Sequence, residues 1–355
     1  MVSKQYNKLV FSGGALKSIA FIGCIRFLEH LGMLSDVCTL VGSSAGAIVA
    51  FMLCLGLSSQ EMEEWILEKF RIGQANQLDI DGVLELYDNM GIDRGTGLEV
   101  FFVEILQSKL GSDKNDVTFM DLAKVTGRHL IICASNLTTS KPEYFSVDTW
   151  PDLSVITALK ASCCIPVLFT PIIVNDMMFV DGGMFENLPV GSLANLTHPE
   201  SHRQNIADHA GVLVMNVSWW PTPTMPTNMV SFAWYLMSAM LHRANHVVDV
   251  KDIGQRLGWT VVDIPPELFC ENKTNERGCD GDSMPRSPSE YQDVPFSSVL
   301  GFSMESMAFE IDTDRLTRCI DSGYKALQQC GCLDEHDILK TSTLHRLPHL
   351  PNQSI

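Results

Sequence analysis

Three short blocks of this sequence carry groups that could do acyl chemistry. Gly42-Ser43-Ser44-Ala45-Gly46 is a G-x-S-x-G pattern between a β-type run and an apolar helical run. A sharp strand-to-helix turn presses two backbones together, so the residues flanking a serine at its tip must be small. The serine hydroxyl then lies at a helix N-terminus, where the dipole favours a developing alkoxide. Ser44 is the candidate nucleophile, and Ser43, at the x position, should point elsewhere. The plainer reading of the pattern alone is a tight turn with a capping serine. Ser12-Gly13-Gly14-Ala15-Leu16-Lys17 has the same strand-to-helix setting, and its backbone N–H groups could face an anion. No G-x-x-x-x-G-K-[ST] is present, and Gly13, Gly14 and Gly23 have the wrong spacing for a dinucleotide fingerprint. That leaves phosphate binding, an oxyanion hole or a packing turn. Asp181-Gly182-Gly183 sets a carboxylate on a turn able to approach another backbone closely. As base toward Ser44 it would need a pKa raised by burial, or a serine acidified by dipole and oxyanion donors.

Strands and helices must bring these blocks together. Leu9-Val10-Phe11 reads as a strand, and a broad apolar helical face runs from Ile19 to Leu31 and stops at Gly32. Cys38 to Val41 reads as a second strand, followed by an apolar helix from Ala47 to Leu55. This strand–helix alternation is the mark of a mostly parallel sheet covered by helices. Ser59 is expected to cap a helix from Gln60 to Arg71, and Thr96 one from Glu99 to Leu110. Further strands are expected at His129–Ser135, Phe179–Val180, Gly211–Val217 and Thr260–Ile264, with helices at Asp152–Ser162 and Asp312–Gln329. Residues 267–298 read as a long surface loop and 331–355 as a tail, leaving one domain over 1–330.

Composition narrows the function classes. The 355 residues are 46% hydrophobic and 19% charged, which is globular material rather than a disordered chain. A net charge of −17 excludes the basic footprint of a nucleic-acid binder. It also means that any membrane contact must be apolar and local. The longest apolar run, Ala47 to Leu57, is far short of the ~20 residues that span a bilayer. Eleven irregularly spaced cysteines include two close pairs, Cys163-Cys164 and Cys330-Gly331-Cys332, without zinc-ligand spacing. They read as reduced thiols in a cytoplasmic protein, and no metal or cofactor is expected.

Taken together and in this order, the blocks resemble the patatin-like phospholipase family. Ser12–Ser18 (SGGALKS) is similar to its glycine-rich oxyanion motif and Gly42–Ala47 (GSSAGA) to its nucleophile elbow. Ala161–Pro171 (ASCCIPVLFTP) is similar to the segment before its catalytic Asp, and Val180–Pro189 (VDGGMFENLP) to the Asp motif itself. The resemblance covers residues 8 to about 218 well and Phe309–Leu327 weakly. It implies a three-layer α/β/α fold with a mostly parallel central sheet, and a Ser44–Asp181 dyad. It further implies an oxyanion hole from Gly13, Gly14 and Ala15, and hydrolysis of phospholipid or related acyl esters without a metal. Ala15 stands at the family's third glycine and Ser18 at the glycine after the basic residue. If position 15 requires positive φ, its methyl group carries a penalty.

Two other readings stay open. One is a catalytically silent relative that binds lipid or a partner. The other is a Ser-His-Asp esterase, for which His242 and His246 follow the acid in chain order, although a solvated helix face explains them more simply. The Trp- and Met-rich stretch Trp219–Leu241 reads either as a core helix or as an apolar lip toward a lipid surface.

Overall fold

The fold was obtained as a computed structural model describing residues 5–72, 90–194, 211–217, 258–264 and 313–330, together with Phe232, Tyr235, Leu236, Ala239, Asp252 and Gln255. The expected loop at 267–298, the tail at 331–355, His242, His246 and most of Trp219–Leu241 lie outside these residues. The strands are β1 (Lys8–Phe11), β2 (Thr39–Ser43), β3 (Gly91–Asp93), β4 (His129–Asn136), β5 (Lys141–Phe145), β6 (Val167–Phe169), β7 (Ile172–Val174), β8 (Met177–Asp181), β9 (Val212–Val217) and β10 (Thr260–Ile264). A 3-10 turn at Ala15–Ile19 leads into α1 (Ala20–His30). The other helices are α2 (Ala45–Cys54), α3 (Ser59–Ile72), α4 (Thr96–Leu110), α5 (Phe119–Thr126), α6 (Val155–Ser162), α7 (Gly183–Glu186), α8 (Gly191–Ala194) and α9 (Thr313–Gln329).

The main sheet runs β10-β9-β1-β2-β4-β8-β7, with β5 also paired to β4. The pairs from β10 to β4 are parallel, and β5, β7 and β8 add antiparallel pairings at the other side. The central strands are short, almost wholly apolar runs, as strands buried on both faces must be. Alternation divides their side chains. Leu9, Phe11, Leu40, Ile132, Leu213 and Met215 join the large core shared with the helices. Val10, Val41, Ile131, Val212 and Val214 pack on the other face with Leu188, Val190 and Trp259. The fold is α/β, as expected.

One register decides where the chemistry falls. Ile132 and Cys133 of β4 pair with both β2 and β5, so those two strands flank opposite edges. Ala134 pairs with both β5 and β8, which puts β8 on the same edge as β2. β2 and β8 therefore meet end to end along one edge of β4, β2 stopping at Ser43 and β8 at Asp181.

Distant segments also converge on α1. A Cβ on Gly23 would lie 1.7 Å from the Ile320 carbonyl oxygen, and one on Gly323 1.8 Å from that of Ala20. α1 and α9 thus cross backbone to backbone at two glycines. Cys24 Sγ donates to the Gly323 carbonyl (3.3 Å), and Phe27 packs edge-on against Tyr324.

Several boundaries differ from the sequence reading. Ser58, not Ser59, caps α3: Glu61 N–H donates to Ser58 Oγ, and Ser58 N–H donates to Glu61 Oε2. Ser59 instead donates to Glu29 of α1, from both its N–H and its hydroxyl. α4 starts at Thr96 itself, preceded by Gly95 in the left-handed region with no side-chain cap. Cys330 is disulfide-bonded, which corrects the reduced-thiol reading there; Cys24, Cys38, Cys54, Cys133, Cys163, Cys164 and Cys319 are free.

Candidate active site

The turn after β2 is built by close contact. A Cβ on Gly42 would meet the Gly46 carbonyl oxygen at 2.4 Å and Ala47 Cα at 2.5 Å. One on Gly46 would meet the backbone oxygens of Ser12 and Phe11 at 2.4 and 2.6 Å. Only glycine fits either place, so α2 can start directly against the end of β1. The cost falls on Ser44, held at φ 52°, ψ −129°, outside the regions that L-residues favour. Ser44 directly follows the end of β2 and is buried, 8% exposed.

Asp181 ends β8 opposite it. Ser44 Oγ donates to Asp181 Oδ2 at 2.6 Å, and Gly183 N–H donates to Asp181 Oδ1 at 2.8 Å. The carboxylate is buried, and burial pushes its pKa up from 3.8 to about 6, against the lowering effect of the Ser44 and Gly183 hydrogen bonds. That places the group where it can take and return a proton near neutrality. Cys133, Cys163 and Cys164 also face this carboxylate; burial raises all three thiols, followed by the Asp181 charge at Cys163 and Cys164 and by the Glu186 charge and then that of Asp181 at Cys133. They are neutral packing groups rather than nucleophiles.

The glycine-rich loop lies beside Ser44: a Cβ on Gly13 would come within 3.1 Å of Ser44 Cβ. Its anchorage assigns its donors differently from the sequence expectation. Gly13 N–H donates to the Asn187 carbonyl at 2.9 Å, and Asn187 Nδ2 donates back to the Gly13 carbonyl at 3.0 Å. Gly13 therefore supplies closeness rather than a donor. The N–H groups of Gly14 and Ala15 have no acceptor among the described residues. Ser12 locks the base of the loop, its N–H donating to the Met215 carbonyl and its hydroxyl accepting from Val217 N–H. Asn187 belongs to the Asp181 block but was not singled out in sequence; its role appears only once β8 and β1 are brought together.

Ala15 sits at φ 47°, so the position does demand the left-handed region. A Cβ there costs about 1–2 kcal/mol, partly offset by the greater unfolded-state freedom of glycine. Ala15→Gly is accordingly expected to stabilise the fold by up to about 1 kcal/mol. Denaturant midpoints of the two proteins check this; a lower midpoint in the glycine variant would mean that Ala15 is relaxed in solution.

A further serine enters through space alone. Ser162, at the end of α6, accepts from Ser44 N–H at 2.8 Å and donates to the Cys133 carbonyl at 2.6 Å. Of the described histidines, His129 is remote: it starts β4 opposite Thr39, at the far end of the strand from Cys133 and Ser43. Among the described residues no histidine bonds to Ser44 or Asp181, and no group of three or more His, Cys, Asp and Glu is arranged to hold a metal.

A family model described as patatin-like phospholipase matches residues 9–194. A probable lipid hydrolase of Invertebrate iridescent virus 6 is 28% identical over 190 residues, which are 53% of this chain and 63% of that protein. A triacylglycerol lipase of Schizosaccharomyces pombe is 28% identical over 175 residues, 48% of this chain and 26% of that one. Among solved structures, VipD from Legionella pneumophila overlaps 92% of this chain and 66% of its own, at 16% identity and a TM-score of 0.44. The matches thus span under two thirds of each relative's own length.

Proposed function

This chain belongs to the patatin-like phospholipase family, and from that premise we propose that it is a lipid acyl hydrolase, cleaving carboxylic esters of phospholipids or related acyl lipids with Ser44 as nucleophile and Asp181 as base. The observation that carries the reading is the direct 2.6 Å hydrogen bond from Ser44 Oγ to Asp181 Oδ2 on two buried turns.

In the proposed reaction Ser44 Oγ attacks the ester carbonyl carbon while its proton passes to Asp181 Oδ2. The carbonyl oxygen becomes an oxyanion received by the N–H groups of Gly14 and Ala15, a contribution of about 2.7–4 kcal/mol per well-aimed donor in comparable sites. Collapse breaks the bond to the alcohol, which leaves with the proton from Asp181. Water, deprotonated by Asp181, then releases the fatty acid from Ser44. Asp181 occupies the hydrogen-bonding position that a histidine would need, which favours this dyad over a Ser-His-Asp triad. The presence of both groups in bonding geometry favours an enzyme over a silent relative. A fluorophosphonate probe followed by peptide mapping tests the reading. Labelling at Ser44, lost in Asp181→Asn, is expected; no labelling at Ser44 would return the chain to the binding class.

Transient contact with a lipid surface belongs to the same proposal. No helix among the described residues is long and apolar enough to cross a membrane. Phe232, Tyr235 and Leu236, at helical spacing inside the Trp- and Met-rich stretch, are 40–51% exposed. Burying one such side chain in an acyl layer is worth on the order of 1.5–3 kcal/mol. Phe232→Ser/Leu236→Ser should weaken sedimentation with zwitterionic vesicles at every salt concentration; unchanged binding would count against this face.

A further inference from the structure

The segment joining α6 to the strand that carries Asp181 touches both halves of the dyad. Ser44 N–H donates to Ser162 Oγ at 2.8 Å. Gly182 N–H donates to the Ser162 carbonyl at 3.2 Å, and Asp181 N–H donates to the Cys164 carbonyl at 2.8 Å. Ser162 Oγ in turn donates to the Cys133 carbonyl at 2.6 Å, on the strand beside which β2 and β8 meet. The side chain is fully buried.

We propose that Ser162 is a positioning residue of the dyad: its hydroxyl holds the backbone of the nucleophile, and its own backbone holds the turn that carries the base. The proposal rests on the Ser44–Asp181 reading and goes beyond it, since no part of the acyl chemistry passes through Ser162.

The chemistry of the hydroxyl explains the choice of residue. One oxygen must accept from Ser44 N–H and donate to the Cys133 carbonyl at once, which a hydroxyl does and a methyl group cannot. Ser44 is held at a positive φ, so something must fix its peptide against relaxation. The Ser162 bond does this, and it also takes Ser44 N–H out of the set of oxyanion donors. β4 brings the ends of β2 and β8 together by pairing with both, and the 162–164 segment then bonds to the Ser44 and Asp181–Gly182 backbones beyond those ends. The final approach of the two side chains therefore depends on the 162–164 segment. Loss of the hydroxyl frees the elbow to turn, lengthens the Ser44–Asp181 bond and weakens one of the two hydrogen bonds that hold down the pKa of Asp181.

That chain of effects gives a signature that general destabilisation lacks. The groups facing Asp181 are the thiols of Cys133 on β4 and of Cys163 and Cys164 after α6. Glu186 and Glu143 face Cys133, and Lys160 faces Cys164. The three thiols stay protonated across the acid range, so the acid limb of the pH–rate profile reports on Asp181.

The test compares wild type, Ser162→Ala and Ser162→Thr on a soluble p-nitrophenyl acyl ester, with rates divided by the concentration of sites that a fluorophosphonate labels at Ser44. Ser162→Ala should lower kcat per labelled site roughly 10- to 100-fold with little change in KM, the scale expected for a small misplacement of reacting groups. Its acid limb should move to higher pH. Ser162→Thr, which keeps the hydroxyl, should restore the limb and most of kcat. Wild-type kcat per labelled site with an unmoved limb in Ser162→Ala overturns the proposal, whatever happens to its melting temperature. Should Ser162→Ala fail to fold, Ser162→Cys takes its place, with a weaker acceptor and the same two overturning results. Absence of label at Ser44 in the wild type would instead sink the dyad reading, and this proposal with it.

Discussion

Ser44→Ala and Asp181→Asn should each lower ester turnover by roughly three to six orders of magnitude, the range for residues that act as one catalytic unit. The double variant should be little worse than either single one. Additive losses would show that the two side chains work independently, despite the 2.6 Å bond between them. The pH dependence follows from the same carboxylate. Asp181 must be ionised to accept the serine proton, so activity should fall below an acid limb near pH 6, the value to which burial raises the group. Stability has the opposite sign. The folded state holds the proton more tightly than the unfolded chain, whose carboxyl titrates near 3.8. The favourable contribution of Asp181 is therefore complete at low pH and is lost as pH rises through about 6. Asp181→Asn removes that penalty. It should make the inactive protein more stable than the wild type at pH 8, by an amount on the order of 2–3 kcal/mol that fades toward pH 4. Equal stability at both pH values would indicate that the carboxylate is solvated.

The second large effect is expected at the glycine-rich loop. Gly14→Val places a branched side chain where even a Cβ would stand 2.9 Å from Ser18 Oγ and 3.4 Å from the Val217 side chain. Ser18 and Val217 are both buried, so the loop has to move instead, carrying the Gly14 and Ala15 N–H groups away from the oxyanion position. Losing one such donor costs roughly 10²–10³ in kcat. The loop itself hangs on the Ser12–Val217 and Gly13–Asn187 bonds, which the substitution does not remove, so the protein should stay folded by circular dichroism. A fully active Gly14→Val would reduce the loop to packing.

Much of this arrangement was legible in the sequence because it is local. β1, β2 and β4 announce themselves as short apolar runs closed by glycines or serines, and the crowding argument for the residues around Ser44 corresponds to the contacts of Gly42 and Gly46. What escaped depends on partners far along the chain. β5 contains Pro142 and alternates weakly, which a strand tolerates only where the ladder does not need its N–H. β3 and β6 are three residues each and exist by pairing with one another. The diversion of the Gly13 donor to Asn187 and the bridge through Ser162 are both contacts across more than a hundred residues. No periodicity reports such contacts. Ser58 was missed as the cap of α3 for the opposite reason: two adjacent serines compete, and the tertiary partner Glu29 decides by engaging Ser59.

The glycine crossing of α1 and α9 bears on when this molecule becomes itself during synthesis. Cys24 and Gly323, in contact there, are separated by 299 positions, and the Ser12–Val217 bond closes over 205. β1 is flanked by β2 on one side and by β9 on the other. A nascent chain that has emerged as far as residue 194 already carries Ser44 and Asp181, yet it has neither the second neighbour of β1 nor the helix that seats α1. Long closures of this kind are entropically slow to form. The proposed nucleophile is thus translated early and armed late, and the stretch that resembles the family most clearly is not a unit that can be cut out and expected to fold.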